Sequence, residues 1–494
     1  MNQVFNPYLP VNEYIPDGEP HVFGNRVYIY GSHDQAHGKV YCEGHYAIWS
    51  APVNDLTDWR YEGVSYRRDQ DPSNTNDTLQ LWAPDVTQGP DGRYYLYYCF
   101  SFYPEIGVAV SDSPAGPFEF YGHVRYPKHL MGGKTLQEYM PFDPAVLTDD
   151  DGKVYLYYGF APGGEKKIDF PDPDSEEMKD LPEKDKEQLR IARSTVFSKS
   201  AMAAQLEPDM ITLKEEPFEL IPSENNSAGT SFEGHGFFEA SSIRKIRGRY
   251  YFVYSSHKSH ELCYAVSSHP LKDYVYGGTI ISNGDIGLDG RTEPVYPLSN
   301  NHGGIVQIGE HFYIFYHHAT DGTEFSRQGC AEEIRILPDG SIPQVEVTSC
   351  GLNQGPLEAS GSYPASIACH ITCPGMPSAI CYPNEAYQRT TRITQDSNQV
   401  FITDIQDRTV IGYKYFRFAG ACEVLLELRG IWNGTVRVSL DPEGTAVIGE
   451  GALDRCSETW FLASILCSAE PGVHALYLQF EGKGRLELKQ VAFQ

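Results

Sequence analysis

A short aromatic strand pattern recurs five times along this chain: GNRVYIYGSHD (24–34), DGRYYLYYCF (91–100), DGKVYLYYGF (151–160), RGRYYFVYSS (247–256) and GEHFYIFYHH (309–318). Aligned on Tyr28, Tyr95, Tyr155, Tyr251 and Tyr313, the copies lie 67, 60, 96 and 62 residues apart. A strand-rich unit of this size cannot bury both faces of its own sheet, so successive copies must stack on one another. Strand repeats stacked in a ring form a β-propeller, and five repeats predict five blades around a central channel. The expected fold class is all-β: a five-bladed propeller over residues 1–340, a linker at 341–356 and a β-sandwich over 357–494.

The sandwich is expected from closely spaced alternating strands, VLLELRGIW (424–432), TVRVSLD (435–441), ALYLQF (475–480) and RLELKQVAF (485–493). The long third interval holds GEKKIDFPDPDSEEMKDLPEKDKEQLR (164–190), dense in proline and both charges. It reads as a solvated insertion ending in a short helix near 183–194. A net charge of −27 argues against nucleic acid and anionic membranes as partners. No run approaches the roughly 18 apolar residues of a membrane span. The opening MNQVFNPYLPVNEYIPDGEP has neither the basic start nor the apolar stretch of a secretory signal. Eleven scattered cysteines lack the density of a disulfide scaffold, so the chain reads as cytoplasmic with reduced thiols. Cys369, His370, Cys373 and Cys381 have a spacing that fits no common zinc site.

Three acidic residues stand at a fixed offset from the repeats. Asp17 in YIPDGEPHVFGNRVYIYG, Asp143 in MPFDPAVLTDDDGKVYLYYG and Glu239 in GHGFFEASSIRKIRGRYYFVYSS lie 11, 12 and 12 residues ahead of Tyr28, Tyr155 and Tyr251. That offset reaches the innermost strand of a blade, so the three carboxyls are expected to point into one channel. Asp before Pro or Gly makes turns, which accounts for Asp17 and Asp143 singly. Glu239, among aromatic and small residues, has no such reason to be there. Converging carboxyls raise one another's pKa, a burden that marks function more often than structure.

The motifs PDGEPHVFGNRVYIYGSHD, WAPDVTQGPDGRYYLYY, FDPAVLTDDDGKVYLYYG, FFEASSIRKIRGRYYFVYSS and NHGGIVQIGEHFYIFYHH follow in order, one per blade, across residues 16–318. In this ordered set the chain resembles glycoside hydrolase family 43. The resemblance implies a five-bladed propeller that cleaves arabinosides or xylosides with inversion at the anomeric carbon. It implies Asp17 as general base, Glu239 as general acid, and Asp143 as a third acid that holds the donor and raises its pKa. The chemistry needs one ionised carboxylate to take a proton from water and one protonated carboxyl to give a proton to the leaving oxygen. Trp82 in LWAPD is similar to the aromatic on which the family packs its sugar, an inter-blade core Trp being the alternative. Asp85 in the same motif reads as structural. Arg327 in TEFSRQG is similar to an arginine that reaches the sugar hydroxyls or the acids. His302 in NHGG is similar to a fifth-blade histidine that in some members faces a hydrated calcium ion. The reaction requires no cofactor, and calcium at His302 is the one metal the resemblance brings in. His235 and His257 read as structural or rim residues.

Residues 400–494 resemble a family 6 carbohydrate-binding module through LELRGIWNGTVRVSLD, the VIGEG turn and GVHALYLQFEGKGRLELKQVAF, with Trp432 and Trp460 as candidate sugar plates or core. The resulting expectation is an inverting exo-glycosidase removing terminal α-L-arabinofuranosyl residues from arabinoxylan- or arabinan-derived oligosaccharides. Removal of β-D-xylosyl residues, as a second or main activity, stays open, as does oligomeric state. The expected partners are pentose-containing oligosaccharides. A non-catalytic sugar-binding propeller would need no opposed acid and base. A fructan hydrolase opens on Asn-Asp-Pro, where this chain has IPDGEP.

Overall fold

The computed structural model describes residues 3–162, 171–194, 196–380 and 384–494. Blade 1 is the antiparallel sheet β1 (Glu19–Phe23), β2 (Arg26–Tyr30), β3 (Tyr46–Pro52) and β4 (Arg60–Tyr66). Blade 2 follows as β5 (Leu81–Gln88), β6 (Tyr94–Phe100), β7 (Tyr103–Ser111) and β8 (Glu119–His123). Blade 3 is β9 (Ala145–Thr148), β10 (Val154–Tyr158), β11 (Ser200–Leu206) and β12 (Phe218–Pro222). Its insertion carries the helix α1 (Glu183–Ser194), where the sequence predicts one; residues 163–170 of that insertion lie outside the described residues, as does Cys381. Blade 4 is β13 (Phe237–Ile246), β14 (Arg249–Ser256), β15 (Glu261–Ser267) and β16 (Val275–Ser282). Blade 5 has three strands, β17 (Ile305–Ile308), β18 (His311–Ala319) and β19 (Arg327–Ile334).

The repeated motif is the second strand of every blade, and its alternation explains the ring. Side chains of a strand point to opposite faces in turn, so one strand can feed two cores. In β6, Tyr95 and Tyr97 enter the core shared with blade 3, while Leu96, Tyr98 and Phe100 enter the core shared with blade 1. In β10, Val154, Leu156 and Tyr158 face back to blade 2, and Tyr155 and Tyr157 face on to blade 4. β14 divides in the same way, as do β18 and β2, which closes the cycle: Tyr313 and Phe315 share a core with Val27 and Ile29. The five equivalent tyrosines therefore all face the next blade. The first strands, β1, β5, β9, β13 and β17, each touch their neighbours around the axis and line the channel.

The N-terminal segment supplies what blade 5 lacks. It runs beside β19, where the amide of Tyr8 donates to Gly329 O at 3.3 Å. The Asn6 side chain donates to Ala331 O (3.0 Å), Glu332 Oε1 (2.9 Å) and Thr348 O (3.0 Å), and accepts from the amide of Ala331 (3.0 Å). Val4, Tyr8 and Leu9 pack into the core between blades 5 and 1.

The remaining strands, β20 (Leu357–Glu358), β21 (Gly361–Pro364), β22 (His370–Thr372), β23 (Arg392–Asp396), β24 (Gln399–Ile405), β25 (Thr409–Phe418), β26 (Cys422–Ser439), β27 (Val447–Cys467) and β28 (Gly472–Phe493), form one curled, hydrogen-bonded network around a single core. Here the structure departs from the strand boundaries expected from sequence. VLLELRGIW and TVRVSLD are one strand, β26, and ALYLQF and RLELKQVAF are one strand, β28. Asn433-Gly434 and the glycines of EGKG look like turns, but they oppose one another across the β26–β28 pair. Gly430 (φ 126°) and Gly484 (φ 130°) take backbone conformations open to glycine, and a Cβ on Gly434 or Gly482 would strike the facing backbone. The strands crease there and continue. The domain docks on the propeller through buried Lys414, whose ammonium meets Asp285 (3.1 Å) and Glu346 (2.8 Å).

Asn6→Ala leaves the amide of Ala331 and the carboxyl of Glu332 short of a partner in the ring closure. A buried polar group so orphaned costs about 1–3 kcal/mol. Urea denaturation should register a loss of that size.

Candidate active site

The channel ends in a cavity of about 250 Å³ that Asp17, Asp143 and Glu239 enter from blades 1, 3 and 4. Local backbone chemistry aims each of them. Asp17 (φ 55°) and Asp143 (φ 45°) precede the first strands of their blades in left-handed conformations, which Asp tolerates better than most residues. Glu239 sits between two register breaks in the β13–β14 pairing, followed by Ala240 at φ 66°. Bulges of this kind re-aim a side chain out of the ladder. Asp143 Oδ2 accepts from the amide of Ala240 at 3.0 Å, so the third acid holds the strand that carries Glu239.

The three carboxyls sit in opposite electrostatic settings. Arg327 donates from Nη1 to Asp17 Oδ1 (2.9 Å) and from Nε and Nη2 to Asp34 (2.8 and 3.1 Å). Burial alone would raise the pKa of Asp17, but the guanidinium overrides it and holds the carboxyl at about 2. Burial and then the charge of Asp17 push Glu239 up to about 8. Burial, then the charges of Glu239 and Asp17, push Asp143 well above the ordinary carboxylate range. At neutral pH the site thus presents an ionised Asp17 opposite a Glu239–Asp143 pair that retains a proton. His317 accepts from the amide of Asp17 at Nδ1 (3.2 Å), and burial lowers its pKa to about 3, so it is neutral.

The sequence model described as Glycosyl hydrolases family 43 matches residues 10–342, well over half of the chain. The chain belongs to glycoside hydrolase family 43. It is similar to a protein of Thermoclostridium stercorarium named xylosidase/arabinosidase, at 46% identity over 99% of this chain and 98% of that one. A solved family 43 subfamily 1 enzyme from Xanthomonas citri superposes with a TM-score of 0.51 at 25% identity, covering 70% of this chain and 94% of its own. A family 43 arabinoxylan arabinofuranohydrolase from Bacillus subtilis has the same fold over 99% of this chain and 97% of its own, with a TM-score of 0.50 at 21% identity.

In this family 43 propeller, Trp82 lines the cavity and packs edge-on against Phe102 and Phe142 (4.8 and 5.3 Å between ring centroids). Its buried Nε1 has no hydrogen-bond partner among the described residues. Asp85, the other residue of that motif singled out, is structural: it joins three blades by accepting from the amides of Val86 and Val146 and pairing with His21 at 2.6 Å. His235 pairs with Glu261 and His257 with Glu224, and neither lines the cavity. The sequence reading missed Asp34 and the cup of Tyr41, Phe160 and Phe238. Asp34 closes the first repeat and Phe238 adjoins Glu239, but aromatic residues in a chain this rich in strands read as core.

His302 lies at the foot of the cavity, with Nδ1 3.6 Å from Asp143 Oδ2 and Nε2 3.9 Å from Glu19 Oε1. Burial lowers its pKa to about 4, leaving a neutral ring. Calcium takes about 6–8 oxygen ligands. Around His302, Glu19 Oε2 is already taken by Arg244 (2.6 Å) and Ser242 (3.0 Å), and both Asp85 oxygens accept from amides or His21. That leaves Glu19 Oε1 as the single unpartnered carboxylate oxygen, beside a guanidinium that already supplies the positive charge. These residues do not fit a calcium ion.

Two outcomes follow from the site. The pH profile of kcat/KM should fall on its alkaline side near pH 8, because Glu239 must keep its proton to donate it and loses it as pH rises through its pKa of about 8. Exhaustive EDTA dialysis should leave both activity and Tm unchanged; a loss restored by calcium would overturn the role given to Arg244.

Proposed function

We propose that this glycoside hydrolase is an inverting exo-enzyme that removes terminal α-L-arabinofuranosyl residues, and also β-D-xylosyl residues, from oligosaccharides derived from arabinoxylan or arabinan. The observation that carries the reading is a cup of about 250 Å³ with an ionised Asp17 opposite a protonated Glu239. Its volume lies below the roughly 300–1,000 Å³ of pockets for drug-sized ligands, which suits one pentose ring rather than a chain running through. Asp17 takes the proton from the attacking water as its oxygen bonds to the anomeric carbon. Glu239 gives its proton to the departing glycosidic oxygen. Asp143 acts through Glu239, fixing its strand at Ala240 and sharing its proton. The Trp82 ring offers an apolar plate to the sugar face and its free Nε1 a donor to a hydroxyl. Arg327 acts on the base rather than on the sugar, since its donors are spent on Asp17 and Asp34.

The name xylosidase/arabinosidase carried by the relative at 46% identity supports both sugars. We read the C-terminal domain as a family 6 module that completes the rim instead of gripping a polymer. Trp432 is fully buried, and the ring of Trp460 is covered by Arg429 and Lys489 at 4.5 and 5.0 Å, so neither offers a free plate.

Release of 4-nitrophenol from the α-L-arabinofuranoside and the β-D-xyloside tests the proposal. Wild type should cleave at least one, and Glu239→Gln should lose about 10²–10⁴-fold on natural oligosaccharides. Proton NMR of the first-formed sugar should show the inverted anomer. Failure of wild type on both glycosides would sink the exo-pentosidase reading.

A further inference from the structure

A second cleft, of about 530 Å³, opens between the propeller and the C-terminal domain. His37 and Phe325 bound it on the propeller side, and Asn384, Gln388 and Arg392 on the other. Only two aromatic rings separate it from the catalytic cup. Phe325 packs edge-on against Tyr41 at 4.7 Å between centroids, and Tyr41 lines the cup with Arg327 4.8 Å from its ring. The cleft is preformed, because buried Asp321 pins both of its sides. One Asp321 oxygen accepts from the amide of His37 (2.6 Å), the other from Thr394 Oγ1 and the amide of Gln395 (both 3.0 Å).

Asn384 carries the strongest signal. It is 6% exposed, lines the cleft, and its Oδ1 has no partner among the described residues. A buried acceptor left unmatched costs about 1–3 kcal/mol, which a hydroxyl donor from a ligand would recover. The charges in the cleft are already committed: Arg392 donates to Asp404 at 2.6 Å, and His37 faces Asp321 at 3.2 Å. What stays available is amide chemistry beside an aromatic edge, the combination that suits a neutral polyol with apolar ring faces.

We propose that this interdomain cleft is the subsite for the leaving-group part of the substrate, a neutral pentopyranose oligomer, with Asn384 and Gln388 bonding its hydroxyls and Phe325 flanking its rings. The assignment rests on the glycosidase reading above for its place in the reaction, but not for its binding chemistry. The C-terminal domain then contributes to substrate selection directly, at the edge of the active site.

The test is calorimetric titration of Glu239→Gln protein with xylotetraose and, separately, with xylose, with and without the added pair Asn384→Ala and Gln388→Ala. The expected result is about a 10-fold loss of xylotetraose affinity in the cleft variant, with xylose binding unchanged. In the active enzyme the same pair should raise KM on xylo-oligosaccharides and leave 4-nitrophenyl glycosides unaffected. Equal affinity of the two proteins for xylotetraose, or an equal loss for both sugars, overturns the proposal. If wild type cleaves neither aryl glycoside, the glycosidase reading fails while the titration still decides the cleft. Gln388→Ala alone, at an exposed position, keeps the comparison readable should the pair fail to fold.

Discussion

The guanidinium of Arg327 lies buried between Asp17 and Asp34, and both the closed ring and the charge state of the cup depend on it. It begins the last propeller strand, while its two partners flank the opening strands of the first blade. Each of these ions would cost several kcal/mol in isolation away from water, so the pairing holds only while the two blades stay in contact. The same contact lets Asp17 stay ionised in a cavity whose burial drives Glu239 and Asp143 toward protonation. Structure and reactivity share one interaction: an open ring would lose the asymmetry that distinguishes base from acid.

A second buried cation repeats this logic lower in the channel. Arg244 neutralises Glu19 beneath His302, and His21 does the same for Asp85. With both acids compensated by side chains of the chain itself, the foot of the channel needs no added ion. Above it, the neutral rings of His302 and His317 add no positive charge that would compete with Arg327 for Asp17.

The ring was legible in sequence because a doubly buried strand must be apolar on both of its alternating faces, and five such strands stand out against turn residues. The three acids were legible because each stands the same distance before its own strand. Other features depend on contacts distant in sequence. Asp34 and Arg327 meet across almost the whole propeller, and Arg244 sits in the basic stretch SSIRKIRGRYY, which looks like an exposed turn until Glu19 is brought to it. Tyr41, Phe160 and Phe238 cannot be told from core aromatics without knowing which way the strand faces. The creased strands β26 and β28 misled for a different reason: glycine marks turns and close backbone approaches alike, and pattern alone does not separate them.

The strap formed by residues near Asn6 has a temporal meaning as well as a structural one. Its partners, Gly329, Ala331, Glu332 and Thr348, lie more than 300 residues further along the chain. A ribosome adding about 5–20 residues per second needs tens of seconds to reach them. Through that interval the nascent N-terminus carries Val4, Tyr8 and Leu9 without the core that buries them, and the first blade waits with one face uncovered. The protein is therefore most vulnerable to misassociation while it is being made, and a holding chaperone would find its target in the opening residues.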